Sequence, residues 1–215
     1  KASGIEEAEL VISTSYSLSF SLFHGEIEGY SLEDSSNFLA RGIINGKMGV
    51  ARCDSYDKEK AAYLVDAIIH NSKVIEKDDP VIIFKGSEKY KKVNTFNKQL
   101  GLIDIDTKMQ KLYELEKEVK ALDERIIEVE SVQFGEESSS YTIMNSHGLK
   151  LVQKNNNFVY VVSAVAKEGE QVKTGYSIFL DNDFSKFDVK KLAAKCVEDV
   201  VSQLGGSPCE SKTYK

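Results

Sequence analysis

Ser19-Phe-Ser-Leu-Phe-His-Gly25 and Ser140-Tyr-Thr-Ile-Met-Asn-Ser-His-Gly148 are two stretches of one chain that share an ending and a setting. Each is an apolar-rich run closed by a His-Gly pair, and glycine supplies the positive φ that a hairpin loop needs. The first leads through a strand to Asn37-Phe-Leu-Ala40, a second hairpin signal at Asn45-Gly46 and then a helical pattern. The second leads to Asn157-Phe-Val-Tyr160, a turn near Glu168-Gly169 and again a helical pattern. The matching order reads as one meander-plus-helix unit built twice. The fold class is therefore α+β, with antiparallel β-meanders packed against amphipathic helices.

Working outward, Ala8 to Cys53 consists of short β-prone runs broken at His24-Gly25 and Asn45-Gly46. Between Asp57 and Val74 the period changes, with Ala61, Leu64, Val65, Ile68 and Ile69 at helical spacing and Asp57 near the start. Pro80 to Ile103 has no sustained period and carries a basic run, Lys85-Gly-Ser-Glu-Lys-Tyr-Lys-Lys92, read as a solvated connector. Asp106 is expected to cap the next helix, whose core stripe is Leu112, Leu115, Val119 and Leu122. Strands return over Ile126 to Leu180, clearest at Ser138 to Met144, Leu149 to Gln153, Phe158 to Val165 and Val172 to Leu180. Val189 to Leu204 closes the pattern as a helix with Leu192, Cys196, Val197, Val200, Val201 and Leu204 inward. Gly205-Gly206 ends it. Residues 1–204 are expected to form one domain, with 78–104 an irregular connector between its halves and 205–215 the start of a linker. Lys1 to Gly4 has no initiator Met and reads as the end of a helix, so further sequence is expected ahead of it.

A chain of 215 residues with 41% hydrophobic composition can bury one sizeable core or two small ones. Its net charge of −6 and intermixed charges argue against direct nucleic-acid binding. Its longest apolar runs, such as Val81 to Phe84, are far short of a membrane span, and no leader pattern is visible. Cys53, Cys196 and Cys209 are odd in number, widely spaced and without a CxxC pair, which suits a reducing compartment; cytoplasm is the expectation. Cys196 on its helical stripe reads as a small core residue.

No catalytic, cofactor-binding or metal-ligating residue can be named. His24 and His147 are followed by glycine and His70 by Asn71, and none has a second ligand one helical turn away. His147 reads as part of a turn, with Asn145 and Ser146 satisfying exposed turn amides, and His70 as a helix-boundary residue. Neither GxSxG nor GxxxxGK[ST] occurs. Serines from Ser13 to Ser21, with Ser138 to Ser140, line either the wet face of a sheet or a polar cavity wall.

These features resemble the N-terminal domain of the TldD/PmbA family, whose members are called modulators of DNA gyrase and are grouped with metalloproteases. The resemblance rests on Gly4-Ile-Glu-Glu-Ala-Glu-Leu10, Phe23-His-Gly-Glu-Ile-Glu-Gly-Tyr30, Asp123-Glu-Arg-Ile126, Asn145-Ser-His-Gly148 and the segment from Glu168-Gly169 to Gly175-Tyr176. The Asn145 turn and Lys154-Asn-Asn-Asn157, where TldD-type chains carry Asp-Gly and Arg-Pro, place the likeness on the PmbA side. The resemblance implies a chamber-forming domain in zinc-dependent processing of peptides or unfolded chains. It also implies no metal in this chain, with zinc held by a TldD-type partner or a further C-terminal domain through an HExxxH helix. Partners would be a second copy or a TldD-type subunit, and a peptide substrate. A stand-alone binding or scaffold module is the competing reading; whether the reading frame runs past Lys215 separates the two.

Overall fold

The computed structural model describes residues 4–76, 79–207 and 209–213; the helix end read over Lys1 to Ser3 lies outside them. Six strands form one sheet: β1 (Glu7–Phe23), β2 (Glu26–Ile44), β3 (Lys47–Cys53), β4 (Ile126–Asn145), β5 (Lys150–Glu168) and β6 (Gln171–Asp181). Their order is β3-β2-β1-β4-β5-β6. The helices are α1 (Lys58–Lys73), α2 (Ile105–Leu122) and α3 (Val189–Val201). The duplication is visible in this order: β1-β2-β3-α1 is answered by β4-β5-β6-α3, and the two first strands are neighbours. The chain clusters into two compact units, through both of which the long strands pass.

One unit comprises residues up to Ser17, Glu33–Phe96 and Glu137–Asn156. Here α1, capped by Asp57 accepting from the Lys60 amide, lies on β2 and β3. Its buried centre is Leu64 and Ile68 against Ala40, Ala51 and Cys53. The small residues let the helix come close: Gly42 faces Gly49 across β2 and β3, and a Cβ on Gly49 would lie 2.0 Å from the Ile68 carbonyl oxygen. The connector runs beside β5, pinned by a parallel bridge between Thr95 and Asn155.

The other unit comprises Leu18–Leu32, Asn97–Glu136 and the chain from Asn157 onward. Leu18, Phe20 and Leu22 of β1, Val132 and Phe134 of β4, and Phe158, Tyr160, Val162, Ala164 and Ala166 of β5 are buried with period two. Leu112, Leu115 and Val119 of α2 and Ala193, Cys196 and Val200 of α3 are buried as well. Aromatic rings continue from Phe20 to Phe134 (4.7 Å), Tyr160 (4.9 Å) and Phe187 (4.0 Å). One ion pair is sealed inside: Lys108 Nζ lies 2.7 Å from Glu136 Oε2, both side chains almost fully buried. That contact lies off the hydrogen-bonding direction, so charge and not a well-formed bond holds it.

Three expectations are corrected. Asp104, not Asp106, caps α2; its carboxylate accepts from the Thr107 amide at 2.7 Å and hydroxyl at 2.8 Å. Leu122 is 48% exposed because the helix ends there, while the stripe Leu112, Leu115 and Val119 is fully buried. The last helix ends at Val201, so Leu204 falls in the following turn, which Gly205 closes with φ +76°. The runs at Ser138 and Leu149 are also parts of longer strands.

Candidate functional site

The three histidines come first. His24 and Gly25 both have positive φ (51° and 79°), the two-residue turn with mirror-image geometry that joins twisted strands, as do Asn45 and Gly46. The equivalent turn between β4 and β5 is built differently: only Gly148 has positive φ. There Asn145 Oδ1 accepts from the His147 and Leu149 amides, and its Nδ2 donates to the Phe84 carbonyl. Ser146 is tied to Ala8 in both directions, its amide donating to the Ala8 carbonyl and its hydroxyl accepting from the Ala8 amide. His147 thus sits in a turn, as the sequence indicates, and its Nε2 lies 3.3 Å from Glu7 Oε2. The Glu7 carboxyl is held below its usual range, first by His147 and also by the Ile83 amide. His24 repeats the theme with Glu128 at 2.8 Å on an exposed surface. His70 is exposed in the last turn of α1. Each is a structural pairing or a solvated residue.

Among the described residues no group of three or more His, Cys, Asp or Glu side chains could hold a metal ion. Burial pushes the Cys196 thiol up to about 11, which makes it a poor nucleophile. On the serine face, Ser15 and Ser35 hydroxyls bond at 2.8 Å. Separately, Ser19, Ser21 and Ser31 line a shallow depression with Gly29 and Gln133.

Two surfaces remain. In the first unit, Ile5, Ala8, Leu10, Leu64, Val65 and Met144 line an apolar groove of about 420 Å³, whose polar edge is the ion pair of Arg41 with the buried Glu9 at 2.6 Å. Val65, placed inward by its spacing, is 37% exposed here.

The second surface is the outward side of β5 and β6, where Val159, Val161, Ser163 and Val165 pair in unbroken register with Leu180, Ile178, Tyr176 and Thr174. Leu180, Ile178, Tyr176 and Val172 are each more than half exposed. β6 has its amphipathicity inverted. The residues alternating with this row are Lys173, Gly175, Ser177, Phe179 and Asp181. On that inner side Ser177 donates to Asp199 of α3 at 2.7 Å, and the missing side chain of Gly175 admits Val200. An edge strand ordinarily carries charge or proline as a shield; the outward row of this one, Val172, Thr174, Tyr176, Ile178 and Leu180, carries neither. The signal of the inversion in the sequence is Val-Thr-Tyr-Ile-Leu at alternate positions against Lys-Gly-Ser-Phe-Asp.

Two family models match the chain: PmbA/TldA metallopeptidase domain 1 over residues 8–72 and PmbA/TldA metallopeptidase central domain over residues 98–204. Three solved structures share the fold. A candidate modulator of a DNA gyrase from Thermotoga maritima is 18% identical, with TM-score 0.85, covering 96% of this chain and 46% of that one. TldE from Thermococcus kodakarensis is 21% identical, with TM-score 0.81, covering 92% and 44%. A candidate modulator of DNA gyrase from Bacteroides thetaiotaomicron is 16% identical, with TM-score 0.81, covering 97% and 48%. The chain spans less than half the length of each. No curated protein matches it.

Proposed function

We propose, since this chain belongs to the PmbA/TldD metallopeptidase family, that it is the chamber-forming part of a zinc-dependent peptide-processing assembly and leaves the metal to another domain or subunit. The inverted strand β6 carries this reading. A sheet whose apolar row faces outward, while its polar row packs on a helix, is built to be covered by other protein. The cover is a second copy or a TldD-type subunit, and peptides or unfolded chains are the substrate class. The cysteine pattern and the absence, among the described residues, of any helix long and apolar enough to cross a membrane are consistent with assembly in the cytoplasm.

The test uses the intact protein with and without a TldD-type subunit. Tyr176→Lys with Ile178→Lys should keep the wild-type circular dichroism spectrum, since both side chains are exposed. It should shift the assembly to its separate subunits in light scattering, and zinc-dependent peptide cleavage should fall with it. Unchanged assembly in that variant rules out this face as the interface. Cleavage that persists in the fully dissociated state rules out the chamber role.

A further inference from the structure

The basic run from Lys85 to Lys92 does not stand alone in the folded chain. The connector lies along the β4–β5 turn and the start of β5: the Phe84 carbonyl accepts from Asn145, Gly86 packs on Leu149, and Thr95 bridges to Asn155. Lys154 stands over the Phe96 ring at 5.9 Å. This course brings Lys85, Lys89, Lys91 and Lys92 beside Lys150 and Lys154, all six exposed, with Glu88 the one acid in the run. Within the ridge Lys85 acts on the Glu7 carboxylate, while Lys108, Lys111, Lys120, Lys186 and Lys195 are ion-paired elsewhere. The ridge is also held in place. Gly86 takes φ +107°, and the Tyr90 hydroxyl accepts from the Ser87 amide at 2.7 Å. From Lys89 to Asn94 the chain is in neither helix nor strand and makes no backbone–backbone hydrogen bond among the described residues. Tyr90 and Val93 are about half exposed along it.

We infer that this lysine ridge is a docking surface for an acidic peptide segment, which lies extended along residues 85–92 with its carboxylates on the six lysines. An extended segment of that length reaches roughly 25 Å, enough for four or five side chains on one face. Two features favour a peptide over a nucleic acid. The cations are all lysines, without the arginine forks that grip phosphates and base edges bidentately. The remainder of a chain with net charge −6 repels a polyanion extending beyond the ridge. This inference concerns binding alone and does not depend on whether the chain assembles or the bound segment is cleaved.

The test is fluorescence anisotropy on the intact protein with a labelled twelve-residue peptide carrying alternate glutamates, its glutamine counterpart and a thymidine dodecamer. The glutamate peptide should bind, weakening about tenfold between low and physiological salt as screening shortens the range of the charges. The glutamine peptide should not. Lys85→Gln with Lys89→Gln, Lys91→Gln and Lys92→Gln should weaken binding at least tenfold; Lys150→Gln with Lys154→Gln, on a strand, should weaken it severalfold. Lys190→Gln with Lys191→Gln on α3 should leave it unchanged. Equal binding of both peptides, failure of either ridge variant to weaken it, an equal loss in the α3 variant, or tighter binding of the oligonucleotide would each overturn the assignment.

Discussion

Gly49→Ala measures how closely α1 lies on the sheet. A Cβ at this position would sit 2.0 Å from the Ile68 carbonyl oxygen and 2.8 Å from its carbon. A comfortable carbon–oxygen separation is about 3.3 Å, and helix backbone cannot swing aside as a side-chain end can. Thus α1 must lift by roughly 1.3 Å. A gap of about 1 Å forfeits a quarter to a half of each dispersion contact, and the residues lifted are Leu64 and Ile68, 5% and 3% exposed. Overpacking of this kind costs about 1–3 kcal/mol, and the loosened pair adds about 1 kcal/mol. The lower entropy of alanine in the unfolded chain offsets about 0.5–1 kcal/mol. The net expectation is a loss of about 1–3.5 kcal/mol, or about 2–14 °C in melting temperature for a chain of this size. Gly42→Ala is the internal comparison. There the new Cβ meets the Cγ2 methyls of Ile5 (2.9 Å) and Ile68 (3.0 Å), with the Glu7 carbonyl oxygen at an ordinary 3.4 Å. Both are side-chain atoms that can give by a few tenths of an ångström, unlike helix backbone, so the loss should be about 1 kcal/mol. Urea unfolding followed by far-ultraviolet circular dichroism measures both. Gly49→Ala within about 0.5 kcal/mol of the parent, or Gly42→Ala the more damaging of the two, refutes the reasoning.

Three further outcomes are expected. Lys108→Met leaves the buried Glu136 carboxylate without its counter-charge and should cost about 3–5 kcal/mol, whereas Lys108→Met with Glu136→Leu should recover most of it; equal losses in urea unfolding sink the idea. The Asp123 carboxyl is drawn down to about 2, first by the Arg125 side chain. A group depressed on folding stabilises above its ordinary value near 3.8 and loses that contribution as pH falls toward 2. Asp123→Asn should therefore flatten the decline of melting temperature between those pH values, and an unchanged slope contradicts it. Cys209 is exposed while Cys53 and Cys196 are buried, so a thiol reagent near pH 8 should label one cysteine in the native protein and three after denaturation; rapid native labelling of a second defeats this reading.

The elements were legible where a local period and a cap coincide. Asp57 and the Leu64–Ile68 stripe identify α1 from sequence alone. The start of α2 lies two residues before the expected Asp106, because Asp104 is an equally competent cap by residue type. Which one faces Thr107 depends on the preceding turn, where Leu102 and Ile103 amides close a short 3-10 helix. Lys108 gave no sign of burial, since a lysine on a helix reads as solvated until Glu136 of β4 is placed beside it. The lysine ridge was half legible. Its run is plain, but Lys150 and Lys154 join it only through the connector's contacts with the β4–β5 turn and β5, from Phe84 with Asn145 to Thr95 with Asn155, on which no local pattern bears. The outward row of β6 was written in the sequence as a period of two, but which of its two rows meets α3 depends on Asp199 and Val200, which lie outside that pattern.

The adjacency of β1 and β4 at the centre of the strand order has a kinetic consequence. The β5–β6 hairpin closes through a two-residue turn and can zip in microseconds. The β2–β3 hairpin, closed by Asn45 and Gly46, is equally local. Bringing β1 to β4 instead closes a loop of roughly 100 residues, whose entropy must be met before any of the pairing between them is gained. Refolding is therefore expected to show two early, separable hairpin-and-helix phases followed by a slower joining step. Destabilising the β1–β4 seam should slow that last phase and leave the first two untouched.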